Sequence, residues 1–251
     1  MDEKWSFVGK KEKHCDAANP ADARCGDNWD HVAFDPEHRL VLSTVPGKHT
    51  AEKVVELVAN VKRRLEGRVP RLITTDEYTP YKQAILDAYG TTVVPERTGK
   101  PGRPRKHAVQ VPLPDLNYAT VHKTRVKGRV VSVTLEIIFG VVAAVTAALG
   151  MSKAGRKINT DFIERHNGTD RNRNSRKARK TYCFSKDWDI HEAVGYFTMY
   201  SYNFCWPVRT LRVRGDDGQW RDRTPAMSAG LADHVWTLAE WLALPVPRGA
   251  T

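Results

Sequence analysis

The chain has 251 residues, 41% hydrophobic and 27% charged, long enough to bury a full core in one large domain. Its formal net charge of +11 and pI near 9.6 favour polyanionic partners, nucleic acid first and an anionic membrane surface second. Four cysteines without a CxxC pair argue against a disulfide framework and for reduced thiols in a cytosolic protein. His14, Cys15, Cys25 and His31 are too irregularly spaced for a zinc site, so loop and core roles fit them better.

Residues 2–9 alternate polar and apolar side chains and read as a strand. A loop of Asp, Asn, Pro, Gly and Ala follows. Residues 31–35 and 40–45 form two more strands joined by a hairpin connection at Pro36-Glu37-His38-Arg39. Three strands with short links predict an antiparallel meander. Residues 50–65 place Val54, Leu57, Val58, Val61 and Leu65 on one helical face, with Gly67 ending the helix. Residues 71–76 are a buried strand ending in Asp76. Residues 78–89 follow as a helix with Pro80 in its first turn, and 92–95 as a short extended piece. The order strand, strand, strand, helix, strand, helix, strand predicts a mixed sheet with helices packed on it.

Residues 99–106 form a basic Pro/Gly loop. Its Gly102-Arg103-Pro104 core, followed by Arg105, suits an extended minor-groove contact, and equally a solvated loop. Residues 121–131 and 132–139 are two extended segments turning near Gly128, and 141–149 a short apolar helix closed by Gly150. The apolar run 130–150 contains Glu136 and Gly140, so a buried strand and a buried helix explain it better than a membrane span. A helix capped by Ser185 extends to Cys205 with an aromatic stripe that reads as core, and 225–231 and 236–244 form a helical tail.

Between these elements lies Thr160-Asp161-Phe162-Ile163-Glu164-Arg165-His166-Asn167, running into Arg171, Arg173, Arg176, Lys177, Arg179 and Lys180 with no acid among the last six. A carboxylate set beside a phosphate-binding surface makes sense with a divalent cation between them. Locally, Asp161 and Glu164 also have the spacing of an N-cap and its capping partner, and Asp76 that of an N-cap. Glu3 and Glu77, beside the two aspartates, read as solvated or as supporting groups.

Three blocks carry a family likeness: Asp2-Glu3-Lys4-Trp5-Ser6-Phe7-Val8-Gly9, then Thr75-Asp76-Glu77-Tyr78 with Tyr81, then residues 158–167 with Glu164 and Asn167. In order and number, with Arg179-Lys180-Thr181-Tyr182 and Thr224-Pro225-Ala226-Met227 as further matches, the chain resembles the bacterial insertion-sequence DDE transposases of the small type. The resemblance implies a ribonuclease H-like mixed five-stranded sheet flanked by helices over residues 1–184, with the basic stretch 97–129 inserted, and a C-terminal helical extension over 185–251. It implies catalytic and metal-binding roles for Asp2, Asp76 and Glu164, which would hold two Mg²⁺ or Mn²⁺ ions for DNA strand cleavage and 3′-hydroxyl strand transfer. DNA contacts would come from Asn167, Arg171, Arg173, Arg176, Arg179 and Lys180, with Arg103 and Arg105 on the loop. The implied partners are transposon-end and target DNA and further copies of the chain, in the bacterial cytoplasm at the nucleoid and away from any membrane. Relatives carry an upstream module that recognises transposon ends, and more of the first strand, before the first acid. A non-catalytic DNA-binding remnant of such a transposase is the alternative.

Overall fold

Three strands open the chain: β1 (Asp2–Val8), β2 (Gly26–Asp35) and β3 (Leu40–Gly47). The computed structural model describes residues 1–94, 108–158 and 160–244, apart from the side chain of Arg125. The strands pair antiparallel in the order β1-β2-β3, the expected meander. Neighbouring residues of a strand point to opposite faces, and this sheet is covered on both. Ala33 and Val45 join one cluster with helix α1 (Ala51–Arg64) and helix α2 (Pro80–Tyr89). Val32 and Val41 join a second with helix α4 (Asp161–Arg173) and helix α5 (Trp188–Cys205) through Ile163, Met199 and Tyr202.

The first cluster forms because α1 repeats apolar residues at helical spacing. Val54, Leu57, Val58 and Val61 are all at most 1% exposed and meet Tyr81, Ala84, Ile85 and Tyr89 of α2. Each such side chain contributes roughly 1.5–3 kcal/mol by leaving water.

Strand β4 (Ile73–Thr75) is only three residues long. It runs parallel to β7 (Tyr118–Val126), pairing Ile73 with Tyr118 and Thr75 with Thr120, and β7 is antiparallel to β8 (Arg129–Phe139). The hairpin turns on Lys127 and Gly128, both at positive φ, the geometry that matches strand twist. The Met1 amino group donates to Thr74 O at 2.6 Å, so the start of β1 lies beside β4.

Three expectations need correction. The extended piece at 92–95 is β5 (Gly90–Val93), and it pairs with β6 (Val109–Pro112) in a separate ribbon. Its Thr91, Thr92 and Val93 are exposed, whereas β7 brings buried Tyr118, Ala119 and Val121 to the place beside β4. The run 130–150 is not buried. β4 ends opposite Thr120, so the β7–β8 hairpin runs on past it, with Val131 59% and Leu135 48% exposed. Helix α3 (Val142–Met151) buries only Val145 and Ala148. Third, α5 starts at Trp188, not Ser185. Asp187 caps it by accepting from Ile190 N at 2.9 Å, while buried Ser185 accepts from Gly9 N at 2.7 Å through its carbonyl.

Helix α5 is held on β3 by Asn203. Its side-chain amide accepts from Val41 N and donates to Val41 O, both at 2.9 Å, completing the backbone pairing of that residue. Short helices α6 (Pro225–Ser228) and α7 (Leu238–Leu242) follow, the latter with a complete capping box between Thr237 and Glu240. Of the inserted stretch 97–129, residues 97–107 lie outside the described residues, including Arg103 and Arg105, and 109–126 hold β6 and β7. Among the described residues, no helix is long and apolar enough to cross a membrane.

Candidate metal centre

Asp2 begins β1 and Asp76 directly follows β4, so the Met1–Thr74 bond between those strands brings the two carboxylates together. With Glu3 they form a group whose ligating oxygens all lie within 4.8 Å of one another. It is the one group of three His, Cys, Asp or Glu side chains among the described residues that could share an ion. Tyr78 N donates to Asp76 Oδ1 at 3.2 Å and fixes that carboxylate at the strand end.

Asp2 and Glu3 leave the strand on opposite faces. Asp2 points to the side of α4, where buried Asn167 donates to its Oδ2 at 2.7 Å. Glu3 points to the side of α2, with its side chain 4% exposed, accepting from the Tyr81 hydroxyl and lying 4.0 Å from His49 Nε2. Burial pushes the Asp2 carboxyl up to about 6; the Met1 ammonium opposes this, while Asp76 and Glu164 reinforce it. Burial, then the charge of Asp76, pushes Glu3 up to about 7. Carboxylates held together against their own repulsion are the environment that a divalent cation relieves.

Glu164 stands in the first turn of α4 with an exposed side chain, outside the three-acid group. Its Oε1 accepts from Thr160 Oγ1 at 2.8 Å and from Lys123 of the hairpin. Thr160, not Asp161, takes the N-cap position, so Glu164 is not the capping partner that the Asp161 spacing suggested. Its charge still reaches Asp2. The fold therefore joins Asp2 to Asp76 directly, and to the helix of Glu164 through Asn167. Glu77, read as solvated or supporting, has a half-exposed side chain paired with His122. Glu3, read as solvated or supporting, is buried beside the other two acids, so the solvated alternative falls; its one signal was adjacency to Asp2.

The basic segment divides. Arg179 and Lys180 face solvent, and Arg171 and Arg176 are half-buried. Arg173 stacks over Trp206 at 4.0 Å and Tyr202 at 5.1 Å. Burial, and then Arg179, lowers the Arg171 pKa.

Lys177 leaves the surface altogether. It donates to both oxygens of Asp30 at 2.8 Å, and Lys4 lies 3.2 Å from Asp30 and also bonds Asp170. Burial raises the Asp30 carboxyl, but Lys177 and then Lys4 more than offset this and hold it well below the ordinary range. His191 closes the network, against Ser185 Oγ at 2.8 Å, Asn28 Nδ2 at 3.1 Å and Ser6 Oγ at 3.2 Å. Burial, aided by Lys177 and Lys4 and by Arg176 and opposed by Asp30, lowers its pKa to about 4. A histidine neutral in the fold takes up a proton first in the unfolded chain. Its contribution to stability is therefore full above 6.5 and lost as pH falls toward about 4. In melting curves, the advantage of wild type over His191→Gln is expected to shrink across that window. A difference that stays constant from pH 7 to 4 would remove His191 as a titrating group.

Residues 148–203 match the family model of the IS1 transposase, a segment holding α4, the basic stretch and most of α5. No curated protein and no solved structure matches the chain. The match supports an insertion-sequence transposase.

Proposed function

We propose, from the premise of an insertion-sequence transposase, that this chain cleaves a DNA strand and joins the freed 3′-hydroxyl to target DNA with divalent cations at Asp2, Asp76 and Glu164. One observation carries the reading. Two acids from separate strands converge, and Asn167 ties them to the helix of Glu164 inside the segment that matches the IS1 transposase model. The residues fit such ions. Their donors are hard oxygens, those of Asp2 and Asp76 already lie close together, and Asn167, bonded to Asp2, has a buried Oδ1 with no hydrogen-bond partner. When bound, Mg²⁺ or Mn²⁺ would stabilise charge on the attacking and leaving oxygens of a phosphodiester.

The chain's own residues have distinct tasks in this reading. Asp2 and Asp76 form the rigid part of the site, since backbone pairing fixes one and the Tyr78 amide the other. Glu164, on the first turn of α4, supplies the third carboxylate. Lys123, now bonded to Glu164, is a cation at the rim, and with Arg179 and Lys180 would hold backbone phosphates, adding affinity rather than sequence choice. We also read β3-β2-β1-β4-β7 as a ribonuclease H-like sheet. The parallel β4–β7 pairing and the Met1–Thr74 bond support this order.

A second reading, a DNA-binding remnant without catalysis, draws on the position of Glu164 with Lys123 and Thr160 rather than among the other acids. A nicking and joining assay separates the two. Wild type should cleave only with Mg²⁺ or Mn²⁺. Glu164→Gln should lose at least ~10²-fold of that rate, about 2.7 kcal/mol of barrier, while still binding DNA. Salt-sensitive DNA binding without nicking by wild type would establish the remnant. Full nicking by Glu164→Gln would refute the third acid.

A further inference from the structure

Strand β1 and helix α4 touch through two polar contacts in step. Asn167 donates to Asp2, and three residues on, Asp170 accepts from Lys4, two residues along the strand. Asp2 and Lys4 share one face of the strand, and Asn167 and Asp170 lie on the buried stripe of the helix with Ile163 and His166. These are consecutive rungs of one contact. The rest of the stripe carries no charge pair to β1. Ile163 is aliphatic, and the His166 ring packs between Phe34 and Tyr202. A slide would cost that packing too, but only the charged pair would be left with buried charges unpartnered.

Lys4 and Lys177 balance Asp30 and Asp170, and all four side chains are at most 3% exposed. Slipping α4 by one turn, about 5.4 Å, would leave Lys4 and Asp170 apart in the interior. Sets of this kind are commonly no more stabilising than well-packed apolar residues of equal volume, so stability alone does not account for them.

We propose that Lys4 and Asp170 are positioning residues that set the register of α4 on β1, and thereby the place of Glu164 relative to Asp2 and Asp76. The proposal rests on the metal-site reading above. Lys4 stands two residues from Asp2 on the strand, and Asp170 six residues from Glu164 on the helix, so the pair transmits the position of one acid to the other.

The test removes both charges together, in Lys4→Met/Asp170→Leu. Asp30 keeps Lys177, so the variant should melt close to wild type. Its affinity for Mn²⁺, followed by the electron paramagnetic resonance of the unbound ion, should weaken at least tenfold. Its nicking kcat should fall on the order of 10²-fold, as expected for a misplacement near 1 Å, with KM for DNA unchanged. Asp170→Glu keeps the charge and adds one methylene; it should fold and shift Mn²⁺ affinity in the same direction, and it carries the test if the double variant unfolds. Wild-type Mn²⁺ affinity and nicking in a folded variant would overturn the register role. A wild type that binds Mn²⁺ through Asp76 without nicking, beside variants that bind it more weakly, would support the register role and remove the transposase reading. A wild type that does neither overturns both.

Discussion

Asp30→Ala is expected to destabilise the protein by about 3–5 kcal/mol, the cost of leaving a buried charge without its partner. Asp30 is fully buried and accepts from Lys177 through both oxygens, with Lys4 3.2 Å away. Removing it leaves two buried ammonium groups with Asp170 alone. A loss of this size is a large part of the roughly 5–15 kcal/mol that holds a typical domain folded. The charge origin of the effect has its own control. Asp30→Ala/Lys177→Met restores neutrality, because Lys4 still has Asp170, and should recover more than half of the loss. Urea denaturation reads both, as a drop in midpoint at unchanged slope. Asp30→Ala within 1 kcal/mol of wild type would mean that the network contributes little.

Asp76→Asn should have two opposite effects. Metal-dependent nicking should fall at least ~10³-fold, since charge stabilisation by a bound ion is worth several kcal/mol of barrier. The metal-free protein, however, should gain stability over wild type as the neighbouring carboxylates ionise, because Asp76 is one of the charges that push Asp2 up to about 6 and Glu3 up to about 7, after burial in each case, while the loss of its attraction for the Met1 ammonium limits the gain. Raised carboxyls favour folding fully below their unfolded values near 3.8 and 4.5, and that contribution is lost as pH rises through about 6 and about 7. The advantage of Asp76→Asn should therefore grow from pH 4 to 7. Mn²⁺ should raise the melting temperature of wild type and leave that of the variant unchanged. A variant that melts below wild type at pH 7.5 without metal, or gains from Mn²⁺ as wild type does, would take Asp76 out of the site.

The meander and the first two helices were legible because their periodicity is strong: Val54, Leu57, Val58 and Val61 allow few other readings. The strand beside β4 was not. Residues 92–95 and 118–126 both have strand composition, and the choice depends on which one brings Tyr118, Ala119 and Val121 to cover the core. Lys177 reads locally as one more cation of the basic run and nothing in residues 2–9 singles out Lys4, since no local pattern marks a lysine whose partners, Asp30 and Asp170, lie far along the chain. The candidate site was suggested by resemblance more than by chemistry. Glu164 lies within the matched segment 148–203, while Asp2 and Asp76 lie outside it and meet only once the strands are placed. Glu3 has the same local context as Asp2. Its place in the acid group follows from the strand face that meets Tyr81.

The hairpin that runs past the sheet also bears on the protein's colloidal behaviour. Val131, Val133 and Leu135, with Val142 of α3, place hydrocarbon in water on a molecule of net charge +11. In dilute buffer, repulsion between like-charged molecules keeps these surfaces apart. At 1 M salt the screening length is only about 3 Å, and that barrier is gone at the distance where valines touch. Solubility should therefore decline as salt rises, so the salt used to strip a basic protein from nucleic acid would also promote its precipitation.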